Sequence, residues 1–392
     1  MAAQQNVNQV EQARQRLLAV EKALNSVVVG HEDFIRALML SVVSGEHVIV
    51  IGPPGTAKSY AIRTLSKLLD AKFYSYLLTR FTSYDELFGT VDITELVKSG
   101  TFKRNWSAII NADFVFLDEI FKANSAILNA LLSLLQERIV YDSVSGQAMP
   151  ARVHSCIGAS NETPEDPELQ ALYDRFAIRV FIDYLDNDAM ILRALEARWL
   201  NNSIQPLASM NDVKTLSAYA ERLISAKIKD LGEVYKLYHV NAVPLVKSLR
   251  AKGVLVSDRT VIEKLPKLFA AYLTLYGVTV DNVMNAVFDI VVYTARTRDE
   301  VAAVKKAIDE ALGEVAELAR KLEKAKELIR ARNLAQAKKT LEEIINTDVS
   351  TLAQKTPWMR PRVEAIVSSA RQLLSNVQQI EEQLARLAGE TQ

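Results

Sequence analysis

Three short stretches of this chain carry side chains that could hold and split a nucleoside triphosphate. The first is GPPGTAKSY, residues 52–60. A loop of this kind binds anionic oxygens because successive backbone N–H groups and a helix N-terminus point the same way. Lys58 is placed to reach the β- and γ-phosphates, and the Ser59 hydroxyl to hold Mg2+. Gly52 and Gly55 supply permissive backbone, Pro53 and Pro54 stiffen the turn, and Thr56 and Tyr60 complete the segment. Ala57 stands where the usual G-x-x-x-x-G-K-[ST] pattern has its second glycine. A negative φ there would make the methyl group nearly neutral, whereas a positive φ would cost alanine about 1 kcal/mol or more.

The second stretch is VFLDEI, about sixty residues further on. Two carboxylates at the end of a buried strand are expensive without a cation or strong donors. Asp118 is placed to hold Mg2+ through water, and Glu119 to polarise an attacking water. The third is GASNETPED, where Asn161 follows an apolar strand and offers a neutral amide to that water or to the γ-phosphate. Two arginine-bearing segments come later. In LYDRFAIRV, Arg175 and Arg179 flank the last strand, and either would stabilise phosphoryl charge if presented by a neighbouring subunit, an effect worth roughly 10³-fold or more. In SDRTVIEKL, Arg259 opens a helix and could reach back to the nucleotide.

These side chains need a frame. Five compact apolar runs read as strands: HVIVI (47–51), KFYSYLL (72–78), FVFLDEI (114–120), VHSCIGAS (153–160) and AIRVFIDY (177–184). Helical patterns or loops separate them, which predicts an α/β layered core with a mainly parallel sheet. An amphipathic helix over 5–25 precedes this core, which runs from 26 to 183. Residues 184–298 show helical periodicity alone and read as a small all-α domain. In 299–392, Val301, Ile308, Val315, Leu322 and Ile329 recur every seven residues, with Val304, Ala311, Leu318 and Ala325 at the companion positions. A second run joins Val363, Ile366, Ala370, Leu373, Val377, Ile380, Leu384 and Leu387. Between them TDVSTLAQKTPWMRP breaks the pattern, so the tail is expected to be a coiled-coil hairpin of two long antiparallel arms.

Composition narrows the function classes. The 47 basic and 47 acidic residues of this 392-residue chain cancel, so nothing draws it generally to nucleic acid. One cysteine, Cys156, sits in an apolar run, which excludes an internal disulfide and reads as core. No run reaches the length of a membrane span, and the polar N-terminus lacks a signal peptide's apolar centre, so a cytoplasmic location is expected.

Taken in order, the motifs resemble those of AAA+ ATPases, and more narrowly the MoxR family and its RavA (regulatory ATPase variant A) branch. The resemblance rests on VVGHEDFIRALMLSVVSGEHVIVIGPPGTAKS, FLDEIFKANSAILNALLSLLQER and GASNETPEDPELQALYDRFAIR, and covers about 26–298. It implies an AAA+ P-loop core with an all-α lid over 184–298, and ATP with Mg2+ as the bound species. It further implies Lys58 and Ser59 at phosphate and metal, Asp118 and Glu119 as Walker B, Asn161 as sensor 1, Arg175 as arginine finger and Arg259 as sensor 2. Val29, Gly30 and His31 match the segment beside adenine. Two inserted hairpins are implied: 91–105, turning at Lys98, Ser99 and Gly100, and RIVYDSVSGQAMPARV, turning near Ser145 and Gly146. Such proteins form hexameric rings with ATP between subunits and remodel or mature other proteins, often with a von Willebrand factor A domain partner. A nucleic-acid motor of the related helicase clade and a chelatase-type motor subunit are the alternatives.

Overall fold

A computed structural model describes residues 2–186, 188–200, 204–225, 233–330, 333–355 and 360–389. Its contacts divide the chain into two compact units, one of residues 1–232, 257–277 and 293–298, the other of 233–256, 278–292 and 299–392.

The first unit opens with helices α1 (Ala2–Val27) and α2 (Glu32–Ser44). There follow β1 (Val48–Ile51), α3 (Lys58–Leu68), β2 (Phe73–Leu77), α4 (Tyr84–Phe88), β3 (Gly89–Val91), α5 (Ile93–Ser99) and β4 (Arg104–Trp106). Next come β5 (Phe114–Asp118), α6 (Ser125–Glu137), β6 (Ile139–Tyr141), β7 (Ala148–Pro150), β8 (Ser155–Ser160), α7 (Pro167–Tyr173) and β9 (Ile178–Phe181). The five apolar runs form one parallel sheet in the order β2-β5-β8-β1-β9. All of β1 and β8 is buried, as expected of parallel strands covered on both faces. Cys156 is in β8, fully buried, and its thiol is pushed up to about 12 by that burial. The β9 edge is capped by segment 293–298, where Tyr293 accepts the Arg179 backbone N–H at 3.1 Å.

Helices α8 (Asp188–Leu200) and α9 (Met210–Ser225), the one-turn π-helix Thr260–Lys264 and α11 (Leu265–Tyr276) complete this unit, while α10 (Glu233–Ala251), between α9 and that turn in the chain, belongs to the second unit. Leu17, Val20 and Leu24 of α1 are fully buried against it, since their helical spacing puts them on one face. Arg16 pairs with Asp212 of α9 at 2.9 Å, and Tyr276 donates to Glu21 at 2.6 Å.

The two inserts differ in how well their sequences announced them. Strands β6 and β7 pair antiparallel, and Gly146 takes a φ of +68° in the turn, as expected. The first insert is not a simple hairpin turning at 98–100. Strands β3 and β4 pair antiparallel, but the seven-residue α5 lies between them. The reason is local capping: the Asp92 carboxylate accepts the Glu95 N–H at 3.0 Å, and Gly100 ends the helix at φ +67°.

The second unit contains α10 (Glu233–Ala251), α12 (Val280–Val292), nearly all of α13 (Arg298–Arg330), α14 (Leu334–Ile345), α15 (Val349–Lys355) and α16 (Arg360–Gly389). Val304, Ile308, Val315, Leu318, Leu322 and Ala325 of the predicted seam are buried, as are Val363, Ile366, Ala370 and Val377. Ile380 is exposed, and the side chains of Ala311, Leu384 and Leu387 lie outside the described residues. Among the described residues, the tail is four helices rather than two arms. Asn333 starts α14 by accepting the Gln336 N–H, and Asp348 starts α15 inside the stretch read as a break by accepting from Ser350 and Thr351. The rest of that break, 356–359, lies outside the described residues. Helix α16 packs along α14, α15 and α12.

Candidate active site

In a parallel sheet every strand ends at the same edge, so the loops after the strands share one crevice. The register pairs Ile51 with Ser160, Leu117 with Gly158 and Leu77 with Asp118. The loop after β1, the acidic pair ending β5 and Asn161 after β8 therefore converge at the carboxyl edge of three adjacent strands.

The loop after β1 is shaped for anions. Among the described residues, the backbone N–H groups of Gly55, Ala57, Lys58 and Ser59 donate to no protein acceptor. These are the orphan donors of a helix start, here α3. Lys58 is buried, and its ammonium donates to the carbonyls of Gly52 at 2.7 Å and Pro53 at 2.8 Å. Burial lowers its pKa, while the charges of Asp118 and Glu119 oppose that shift. Thr56 closes the loop by donating to Pro53 at 2.9 Å. At Gly52 a Cβ would meet the Ile182 carbonyl at 2.4 Å, so the chain can pass there only without a side chain. The residues present fit a magnesium-bound triphosphate: free amides, a lysine, the Ser59 hydroxyl at the helix start and the Asp118 carboxylate.

Ala57 resolves the question its methyl group raised. It has φ +59° and ψ 17°, the left-handed region. The residue thus bends the loop so that α3 can begin at Lys58, and alanine bears a strain of about 1 kcal/mol there. Ala57→Gly relieves it, and part of the gain is offset by glycine's greater freedom in the unfolded chain. The expected outcome is a stabilisation of about 0.5–1 kcal/mol, read as a higher urea midpoint; a lower midpoint would show that the methyl group makes a packing contribution larger than its strain.

The acidic pair is also held in an unusual backbone. Glu119 has φ +53°, uncommon for a residue with a long side chain and typical of strained functional positions. The turn redirects its carboxylate: Oε1 accepts from the Asn161 amide at 2.7 Å, and Oε2 lies 3.4 Å from the Lys122 ammonium. Asp118 accepts the Glu119 N–H at 3.1 Å. Glu119 and Asn161 are therefore brought together, as the sequence suggested, and Lys122 is a partner that sequence reasoning missed.

Beside the loop is a cavity of about 420 Å3. Val28, Val29 and His31 form one wall, Gly55, Thr56 and Ala57 another, and Leu185 and Arg198 close it. Burial lowers the pKa of His31, against the opposing charges of Glu32 and Asp183. Gly30 has φ +81°, and a Cβ there would meet the Leu185 side chain at 2.4 Å, so glycine lets segments 27–31 and 183–185 close around the cavity. Tyr60 lines it as well.

The arginines sit elsewhere. Arg175 precedes β9, and His47 precedes β1, so both belong to the amino edge of the sheet, a strand length of about 13 Å from the loop. Arg175 and Arg259 line a separate cavity of about 220 Å3 together with Arg138, Lys264, Lys267 and Glu46. Burial and then the charge of Arg259 lower the pKa of Arg175, and among the described residues its buried Nε has no acceptor. Among the described residues, Arg259 pairs with Glu263 of its own helix, at 3.0 Å. Lys264 donates to the Asp174 carbonyl at 2.5 Å, next to Arg175, and burial, followed by the charge of Arg179, brings its pKa down to about 8. Arg179 is engaged inside the fold: it donates to the Thr294 carbonyl at 2.9 Å and pairs with Asp174 at 3.4 Å. Lys264 was missed because its apolar neighbours make it look like the stem of a surface helix; the π-helical turn that aims it inward has no sequence signature.

Comparison with known proteins identifies a family and a fold. Residues 15–221 match the family model described as the MoxR domain in the MoxR-vWA-beta-propeller ternary systems. An uncharacterized protein of Methanocaldococcus jannaschii is 35% identical over 61% of this chain and 61% of its own length. The Mycobacterium tuberculosis chaperone MoxR1 is 26% identical over 40% of this chain and 42% of its own. The crystal structure of a candidate ATPase from Cytophaga hutchinsonii shares the fold, with a TM-score of 0.60 at 20% identity, covering 79% of this chain and 98% of that one. The matched region thus spans about three fifths of the archaeal relative's length. Among the described residues, no helix is long and apolar enough to cross a membrane.

Proposed function

The chain belongs to the MoxR family of AAA+ ATPases, and on that premise we propose that it hydrolyses ATP between the subunits of a homo-oligomeric ring and uses the cycle to remodel or mature a partner protein. The loop amides and Lys58 hold the phosphates, and the cavity beside Val29, Gly30 and His31 takes the base. Mg2+, held by Ser59 and Asp118, supplies charge neutralisation at the phosphate oxygens when bound. Glu119, oriented by Asn161, accepts the proton of the attacking water. Residues 26–183 act as the nucleotide-binding core and helices from 184–298 as its lid. The family description supports a von Willebrand factor A domain partner, and a hexamer of the RavA type is the assembly this reading favours.

One observation carries the proposal. Arg175 and Arg259 share a cavity at the amino edge of the sheet, whereas the phosphate loop is at the carboxyl edge. Neither arginine is placed to serve its own subunit's nucleotide. A second copy completes the site by presenting both, Arg175 as the finger and Arg259 beside it. Turnover per subunit should therefore rise with protein concentration. Lys58→Ala and Arg175→Ala subunits, each inactive alone by about 10³-fold, should regain activity when mixed, because one supplies the loop and the other the arginine. Mixtures as dead as the separate variants, with turnover independent of concentration, would place the finger within one subunit.

A further inference from the structure

The cavity beside the phosphate loop holds an arginine that the motifs do not account for. Arg198, near the end of α8, is exposed, and its guanidinium lies 5.7 Å from the centre of the Tyr60 ring. Tyr60 is two residues beyond Lys58, in the first turn of α3. The same cavity wall includes Gly55, Thr56 and Ala57. Arg198 has no carboxylate partner among the described residues. The carboxylate that lines the cavity, Asp183, is already paired with Arg298. A guanidinium over the face of an aromatic ring is attracted by the ring while its N–H groups can still meet an anion. Its fork fits the oxygens of a phosphate, and it lines the same cavity as Gly55, Thr56 and Ala57 of the phosphate loop, where it would add a second cation to Lys58.

We propose that Arg198 binds the phosphates of the nucleotide held by its own subunit, with Tyr60 as the platform that orients it. The inference rests on the reading of this cavity as the ATP site. It divides the arginines by role: Arg198 acts on the subunit's own nucleotide, and Arg175 and Arg259 on the neighbour's. It also ties α8 to the nucleotide, so that loss of phosphate contacts loosens this helix from the core.

The test is isothermal titration of the full chain with ADP at several KCl concentrations, for wild type, Arg198→Lys and Arg198→Met, alongside thermal melting without nucleotide. Arg198→Met is expected to weaken ADP about tenfold and to flatten the dependence on salt, with unchanged melting. Arg198→Lys should recover part of the affinity, since it keeps the charge and loses the fork. ADP affinity equal to wild type in Arg198→Met would overturn the assignment. So would a loss accompanied by lower melting and an unaltered salt dependence, which would make Arg198 a brace for α8. Wild-type protein that binds neither ADP nor ATP would instead overturn the ATP-site reading itself.

Discussion

Glu119→Gln is expected to lower ATP turnover by about 10²–10⁴-fold while leaving ATP affinity unchanged. The amide has the shape of the carboxylate and can still meet Asn161, which lies 2.7 Å from Oε1. What it loses is the ability to take a proton from water. Loop, lysine and metal ligands are untouched, so binding energy is retained and only the step that needs a base is removed. The measurement pairs phosphate release at saturating ATP with a direct titration of ATP. Retained turnover would remove Glu119 from the role of base, and a parallel loss of affinity would point to a damaged loop. Because this variant holds ATP without splitting it, it is also the form with which a partner protein should stay associated during a pull-down. Asn161→Ala is a useful companion, since it leaves the base in place and removes only its orienting donor.

Much of this was legible in the sequence, for a physical reason. Parallel strands buried on both faces must be apolar along their whole length, which made β1 and β8 plain, and each of the five runs is a strand of the sheet, β2 as a half-exposed edge. Where such strands end, polar side chains share an edge, which is why Lys58, Asp118, Glu119 and Asn161 could be grouped before their distances were known. Backbone angles are a different matter. The positive φ values of Ala57 and Glu119 are imposed by the surrounding fold against the preference of their side chains, so no residue type announces them. Helix α5 was missed because its seven residues are too few for periodicity to show, and its Asp92 cap looks like any turn aspartate. The division of the tail into α13 to α16 rests likewise on single caps, Asn333 and Asp348, that lie between the two heptad runs and look like ordinary loop residues. Arg198 and Arg104 were overlooked for a common reason: a charged residue in a helix or strand reads as a solvated face until its partners are seen.

Arg104 supports the second large effect. It is in β4 of the first insert with its side chain only 2% exposed. Nε donates to Asp142 at 2.5 Å, Nη1 donates to Asp85 at 2.5 Å and to the Gly89 carbonyl, and the guanidinium lies 4.9 Å from the Tyr84 ring centre. Asp142 belongs to the turn of the second insert and also accepts the N–H groups of Val144 and Ser145, both at 2.8 Å. One buried cation therefore fastens both inserts and α4 together. Removing it leaves Asp142 buried without a counter-charge, so Arg104→Met is expected to cost about 3–5 kcal/mol, whereas Arg104→Met with Asp142→Asn should recover part of that loss. Urea unfolding of the two single variants and the double variant measures the coupling, and additive losses would show that the pair is not a unit. The pH dependence follows from the same contacts. Burial alone would raise the Asp142 pKa, but the bond from Arg104 and the two backbone donors outweigh it and hold the carboxyl at about 2, below its ordinary value of 3.8. A folded-state pKa below the unfolded one means that this contribution is fully present above pH 4 and disappears as the pH falls through 2. Acid unfolding of the wild type should show a proton uptake between those limits that Asp142→Asn lacks. If both inserts act on the partner protein, Arg104→Met should also uncouple ATP turnover from remodelling at temperatures where the core remains folded.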